Sequence, residues 1–150
     1  MSFLYSFPAF VIPNSSLIQD KNGNFYGTTI SGGTYDGGVV FMMTPTFTVT
    51  ILRSFGQGND GVNPDGLVFG PNGNLYGVTY IGGTNQVGSV FELSSDGTSY
   101  TVLHNFGDGS VPNDGDGPNG PLFLGSDNSL YGTTQDGGSA GLGTVFKISP

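Results

Sequence analysis

A ten-residue phrase occurs three times in this chain. It reads NFYGTTISGG from Asn24 to Gly33, NLYGVTYIGG from Asn74 to Gly83, and SLYGTTQDGG from Ser129 to Gly138. The tyrosines, Tyr26, Tyr76 and Tyr131, are spaced 50 and then 55 residues apart. Tandem repetition at this period means stacked copies of one supersecondary unit, because a single unit cannot bury its own apolar face.

The second unit is the clearest. GLVFG (Gly66–Gly70) reads as a strand, and PNGN reads as a tight turn with the Asn-Gly signal of a two-residue hairpin. NLYGVTY (Asn74–Tyr80), SVFELS (Ser89–Ser94) and YTVLHNF (Tyr100–Phe106) follow as three more strands. Unit one repeats the order and ends at Phe55, whereas unit three stops after TVFKIS, without a fourth strand. The match to that strand lies at the other end: SFLYSF (Ser2–Phe7) aligns with ILRSF (Ile51–Phe55) and VLHNF (Val102–Phe106).

These features predict an all-β fold, a β-propeller of three four-stranded blades with a permuted seam. Blade 1 spans about 16–55, blade 2 about 66–106, and blade 3 about 121–150 plus the N-terminal strand 2–7. Apolar runs such as VVFMM fit strands covered on both faces. The glycine after each tyrosine (Gly27, Gly77, Gly132) is expected to admit an aromatic side chain of the next blade. Propellers run from about four to eight blades, so three do not readily close a ring. Association is the expected remedy: a homodimer gives six blades and is favoured over a homotrimer with nine, and SFLYSF then completes a blade of a neighbouring chain.

Composition excludes several functions. The 28 glycines would fit disorder, but 13% aromatic residues at recurring positions do not. A net charge of −8 with three basic residues, Lys21, Arg53 and Lys147, leaves too little positive charge to neutralise nucleic-acid phosphates or an anionic membrane surface. Cysteine is absent, so disulfides and thiolate metal sites are excluded. No apolar run spans a bilayer. MSFLYSFPAFVIP is apolar but lacks a basic flank and a small-residue cleavage site, and its match to an internal strand makes it structure rather than a leader.

The pattern LYGTT…GG…GTVF…LxxF, led in by Asp, Gly and Pro, resembles the Gloeo/Verruco (GloVer) tandem repeat of bacterial proteins over nearly all 150 residues. That resemblance implies a propeller-like array, often secreted and surface-anchored, with no enzymatic activity and no site residues to transfer. The chain shows neither an export signal nor an anchor, so its location stays open.

Function is expected on the face carrying the long loops, Gly56–Asp65, Gly107–Gly120 and Pro8–Ser15, together with the strand-two to strand-three loops SGGTYDGG, IGGTNQVG and DGGSAGLG. The expectation is a non-enzymatic module that binds a glycan or a surface protein there. The alternative is a self-assembling structural repeat, and a glycan-active hydrolase is the outlier. Tyr35, Asp36, Tyr80 and Asn85 suit a sugar through stacking and hydrogen bonds, as do Asp60, Asp65, Asp114, Asp116 and Asn119. Asp108, Asp114 and Asp116 also offer hard oxygens to calcium. NDGDGPNG departs from a calcium loop, however, with Pro118 at a ligand position and no glutamate following, so turn formation is the preferred reading. Paired carboxylates for glycoside hydrolysis are available among Asp60, Asp65, Asp114 and Asp116, but no spacing singles out a pair. GQGNDG (Gly56–Gly61) matches a dinucleotide fingerprint formally, yet no helix follows it. His104, the single histidine, aligns with Arg53 and Tyr5 and reads as a packed or edge residue, with no catalytic residue expected and no cofactor.

Overall fold

The computed structural model describes residues 1–150 and contains only strands, turns and loops. Twelve strands form three antiparallel sheets. The first is β1 (Ile18–Gln19), β2 (Phe25–Thr29), β3 (Val39–Met43) and β4 (Val49–Ser54), in chain order across the sheet. The second is β5 (Gly61–Phe69), β6 (Leu75–Gly82), β7 (Ser89–Leu93) and β8 (Tyr100–Asn105), again in order. The third holds β9 (Gly115–Pro118), β10 (Phe123–Leu124), β11 (Leu130–Gly137) and β12 (Thr144–Ile148). No helix is present to cross a membrane.

The third sheet is narrower than its strand count implies. β10 pairs with Leu130 and Tyr131, and β9 pairs with Thr134 to Gly137, so both lie end to end along one edge of β11. The outer edge of β12 is therefore unpaired. Residues 1–8 form no strand in the isolated chain. Phe7 is nevertheless positioned: its ring meets Phe41 edge-on, with centroids 5.1 Å apart. Phe55 meets Phe91 at 5.2 Å and Phe106 meets Phe146 at 5.1 Å. In each case the last aromatic of a fourth-strand sequence lands on the central aromatic of the next unit's third strand.

The core lies between sheets. Tyr26, Val40, Phe55, Leu67, Leu75, Phe91 and Leu93 fill the first seam, and Tyr76, Val78, Val90, Phe106, Leu122 and Leu130 fill the second. Sheets covered on both faces explain why VVFMM has no polar alternation: four of its five residues are buried. Face-to-face stacking of successive four-stranded meanders is propeller-like.

Two local readings change. The Asn-Gly turn is not a two-residue hairpin. Gly73 N–H donates to Gly70 O at 3.0 Å and Gly70 N–H to Asn74 O at 2.9 Å, and Gly73 alone has positive φ, +80°. This is a type I turn closed by a left-handed residue. A two-residue hairpin would need an N–H from Pro71 to Asn74 O, which proline lacks. The same longer turn also forms after Asp20, where Gly23 N–H donates to Asp20 O at 3.1 Å and Asp20 N–H to Asn24 O at 3.0 Å without a proline.

The glycine after each tyrosine also serves its own sheet rather than the next. Gly27, Gly77 and Gly132 lie directly opposite Phe41, Phe91 and Phe146. A Cβ on them would come within 2.7, 2.7 and 2.4 Å of those phenyl rings. The ring lies across the bare glycine of the adjacent strand.

Each tyrosine hydroxyl then finds a carboxylate at the short-turn end. Tyr26 donates to Asp20 at 3.2 Å, Tyr76 to Glu92 at 2.7 Å and Tyr131 to Asp127 at 2.9 Å. Burial pushes the Tyr76 hydroxyl up to about 12, and the Glu92 hydrogen bond acts in the same direction. In return, hydrogen bonds from Asn74 and Tyr76 hold the Glu92 carboxyl below its ordinary value.

Candidate functional site

The long-loop face converges at the narrow ends of the three sheets. There the segment lying opposite the far end of each second strand carries proline followed by an Asx residue: Pro13-Asn14, Pro64-Asp65 and Pro118-Asn119. The prolines stand opposite Thr29, Thr79 and Thr134, equivalent positions on the second strands. Proline is tolerated because this segment is the inner edge of its sheet and needs no outward donor.

The Asx side chains link neighbouring sheets. Asn14 Nδ2 donates to Pro64 O at 3.1 Å and to Asp65 Oδ1 at 3.2 Å, while Thr28 Oγ1 donates to Asn14 Oδ1 at 2.9 Å. Asp65 Oδ2 accepts Gly120 N–H at 3.0 Å. One carboxylate thus ties the first sheet to the second and the second to the third. Beside this row stand Ile30, Tyr80 and Gln135, each following the threonine that faces a proline, and Tyr80 Oη donates to Gln135 Oε1 at 2.9 Å. Together with Asn63, these side chains line a cavity of about 220 Å³. It offers amide donors and acceptors, one carboxylate and one aromatic ring, which is the chemistry of hydrogen-bonded recognition of a small polar group.

The structure sorts the residues proposed from sequence. Asp65, Tyr80 and Asn119 meet at this cavity. Asp36 sits at φ +57° in its loop and accepts Gly32 N–H at 2.8 Å, so it shapes the turn. Tyr35 lies in the same loop, half exposed, and Asn85 Nδ2 donates to Gly107 O. Asp116 lies opposite Asp136 in the β9–β11 pairing.

Asp60 and Asp114 are latches. Asp60 is buried and bonds Arg53 Nη2 at 2.7 Å; Asp114 Oδ2 bonds His104 Nε2 at 2.9 Å and accepts Gly107 N–H at 3.0 Å. Arg53 and His104 are the same position of the fourth strand in successive units, and each aspartate precedes a proline by four residues. Each pair closes the loop that carries the chain from one sheet to the next.

Asp108 joins His104 and Asp114 in a group whose ligand atoms lie within 4.8 Å of one another. Asp116 is not in it. Calcium takes oxygen rather than imidazole, so this group does not match the all-oxygen set drawn from the sequence.

Asn14, Asn63 and Gln135 were not singled out by the sequence reading. The recurring Pro-Asx pair, and the column Ile30, Tyr80, Gln135 after each YGxT, carry the signal.

Comparison with known proteins agrees with this architecture. No curated protein matches the chain. Among solved structures, a protein described as a candidate gluconolactonase superposes with a TM-score of 0.55 at 17% identity, over 92% of this chain and 48% of that one. A streptogramin B lyase gives 0.53 at 18% identity, over 89% of this chain and 39% of the lyase. Virginiamycin B lyase from Staphylococcus aureus gives 0.55 at 21%, over 88% and 40% respectively. The chain thus spans less than half the length of these proteins, and at such identities the likeness is one of fold. The model of the Gloeobacter/Verrucomicrobia repeat matches residues 3–150, which take in all three tyrosine–glycine phrases and both proline-flanked loops. The chain belongs to that repeat family.

Proposed function

We propose that this chain is a propeller-type binding module without catalytic activity of its own, and that its axial cavity takes a glycan. The carrying observation is convergence: Asn14, Asp65 and Asn119, from equivalent positions of three sheets, face one cavity with Tyr80 and Gln135. Amides and a carboxylate bond sugar hydroxyls, and a tyrosine ring supplies an apolar face. The solved relatives are described as enzymes, but the cavity here holds one carboxylate, Asp65, with both oxygens already bonded to protein donors. Such a group positions neighbours rather than transferring protons.

An oligosaccharide array, followed by titration calorimetry on the best-retained sugar, tests this reading. Tyr80→Ala and Gln135→Ala should each weaken binding roughly tenfold. Binding unchanged in both variants, or no sugar retained at all, overturns it.

A further inference from the structure

The unpaired edge of β12 is the most incomplete part of the molecule. Val40 and Val90, at equivalent places on β3 and β7, are wholly buried, whereas Val145 on β12 is 80% exposed. Leu142, equivalent to the packed Val87, is 86% exposed. A groove of about 440 Å³ runs between β8 and β12, lined by Leu103, His104, Val145 and Phe146 among others. In the two complete sheets the corresponding space is filled by a fourth strand, and Tyr100 of β8 lies there against Phe55 and Phe91. At the other end of the chain Phe3 is 88% exposed and Leu4 48% exposed, although Phe7 is already seated on Phe41 as Phe55 is on Phe91.

We propose that β12 takes residues Ser2–Phe7 of a second copy as its fourth strand, and that two copies exchange these strands to close a six-bladed ring. The occupant is a second copy because its segment fits by sequence and by register. β3 pairs with β4 as Val39↔Ser54, Val40↔Arg53, a bulge, Phe41↔Ile51 and Met42↔Thr50. β7 pairs with β8 in the same way, with Val90↔His104, a bulge, Phe91↔Val102 and Glu92↔Thr101. Carried to the open edge, this register sets Thr144 against Ser6, Val145 against Tyr5, Phe146 against Phe3 and Lys147 against Ser2, with Leu4 as the bulged residue.

The seam around the strand has its own template. Gly38 faces Pro64, where a Cβ would come within 2.7 Å of the ring, and Gly88 faces Pro118 at 2.5 Å. Gly143 occupies the same place, where no proline of its own chain comes within 3.2 Å of such a Cβ, and Pro13 of the second copy supplies one. Between the complete sheets, Asn63 N–H donates to Gly37 O at 2.8 Å and Gly117 N–H to Val87 O at 3.0 Å. Leu142 O is the matching acceptor at the open seam.

Two copies are the number that fits. Six blades fall within the range of about four to eight in which such rings close, whereas three and nine do not. Most of the chain also covers 48% of one structural relative, so a pair of chains comes close to its length. The pairing rests on the open edge and not on the glycan reading, so each can fail without the other.

Light scattering on the intact chain should give twice the 15.5 kDa chain mass. Phe3→Asp and Val145→Asp alter side chains already exposed in the single chain, so they leave its fold alone and should each give the single-chain mass. Because the chain has no cysteine, Ser2→Cys with Lys147→Cys should form covalent dimers under mild oxidation, whereas Ser2→Cys with Val145→Cys, two residues out of register, should not. A single-chain or threefold mass for the intact protein overturns the proposal. So does a dimer that survives both aspartate variants, or equal cross-linking of the matched and mismatched pairs.

Discussion

Arg53 lays its guanidinium 3.9 Å above the ring centre of Tyr100 while its Nη2 holds the Asp60 carboxylate at 2.7 Å. One cation therefore spans two sheets: it belongs to β4, stacks on β8 and pins the loop between them. The Tyr100 hydroxyl is pushed well above the usual phenol range, first by burial and then by Asp60. Asp60→Ala should cost about 2 kcal/mol, short of the 3–5 typical of fully buried pairs because Arg53 keeps partial access to water. Arg53→Lys should cost about 1 kcal/mol, since an ammonium keeps the charge but not the flat stacking face. Urea unfolding midpoints measure both.

Gly77→Ala should destabilise by about 2 kcal/mol, because the new methyl meets the Phe91 ring of the facing strand. Gly73→Ala has nothing within 4 Å and differs only by the backbone penalty at φ +80°, about 1 kcal/mol. Thermal unfolding of the two variants should therefore rank them in that order.

Alkaline stability should fall between about pH 10 and 12. The Tyr76 hydroxyl is raised to about 12 in the folded chain against about 10 when unfolded, so its contribution is complete below pH 10 and disappears as pH climbs through 12. Tyr26 is raised as well, by burial and then by Asp20. Of seven tyrosines, Tyr26, Tyr76 and Tyr100 should ionise late in an ultraviolet titration, together with unfolding. Glu92 acts at the acid end: its lowered value contributes stability that is present above the ordinary glutamate range and lost as pH falls through the folded value. Tyr76→Phe should cost about 1.5 kcal/mol near neutrality and flatten the alkaline limb.

In the Phe3→Asp variant, expected to be single-chain, hydrogen exchange should be slowest in the middle sheet. β6 and β7 are covered on both sides, with Tyr76, Leu75, Val90 and Phe91 fully buried, whereas β11 and β12 are largely half-exposed in the single chain. In a stack where each unit leans only on its neighbours, protection follows the number of neighbours. Amides of Val78 and Val90 should outlast those of Thr133 and Val145 by at least an order of magnitude.

The sequence made the order of strands legible because YG, TVF and LxxF are bulky or conformationally special residues at fixed intervals. Turn chemistry is less legible: Asn-Gly points to a two-residue hairpin after both Lys21 and Pro71, and the chain takes the longer turn at each. The partner of each small glycine is illegible because spacing along the chain does not distinguish Phe41, beside Gly27 in the same sheet, from a ring of the next one. Asp60 and Asp114 read as ligands because an aspartate in a glycine-rich loop looks exposed. Only folding brings Arg53 and His104 back to them. Asn14 and Gln135 are not legible from sequence, because each is ordinary alone and acquires meaning through its counterparts in the neighbouring sheets.

The position held by Tyr5, Arg53 and His104 makes junctions of like geometry chemically distinct. A unit cut out and reinserted elsewhere in the order would bring its arginine to a junction with no acid waiting, or strand an acid without its base. Equal shape has not made the units interchangeable, and the order of the copies is written into these side chains.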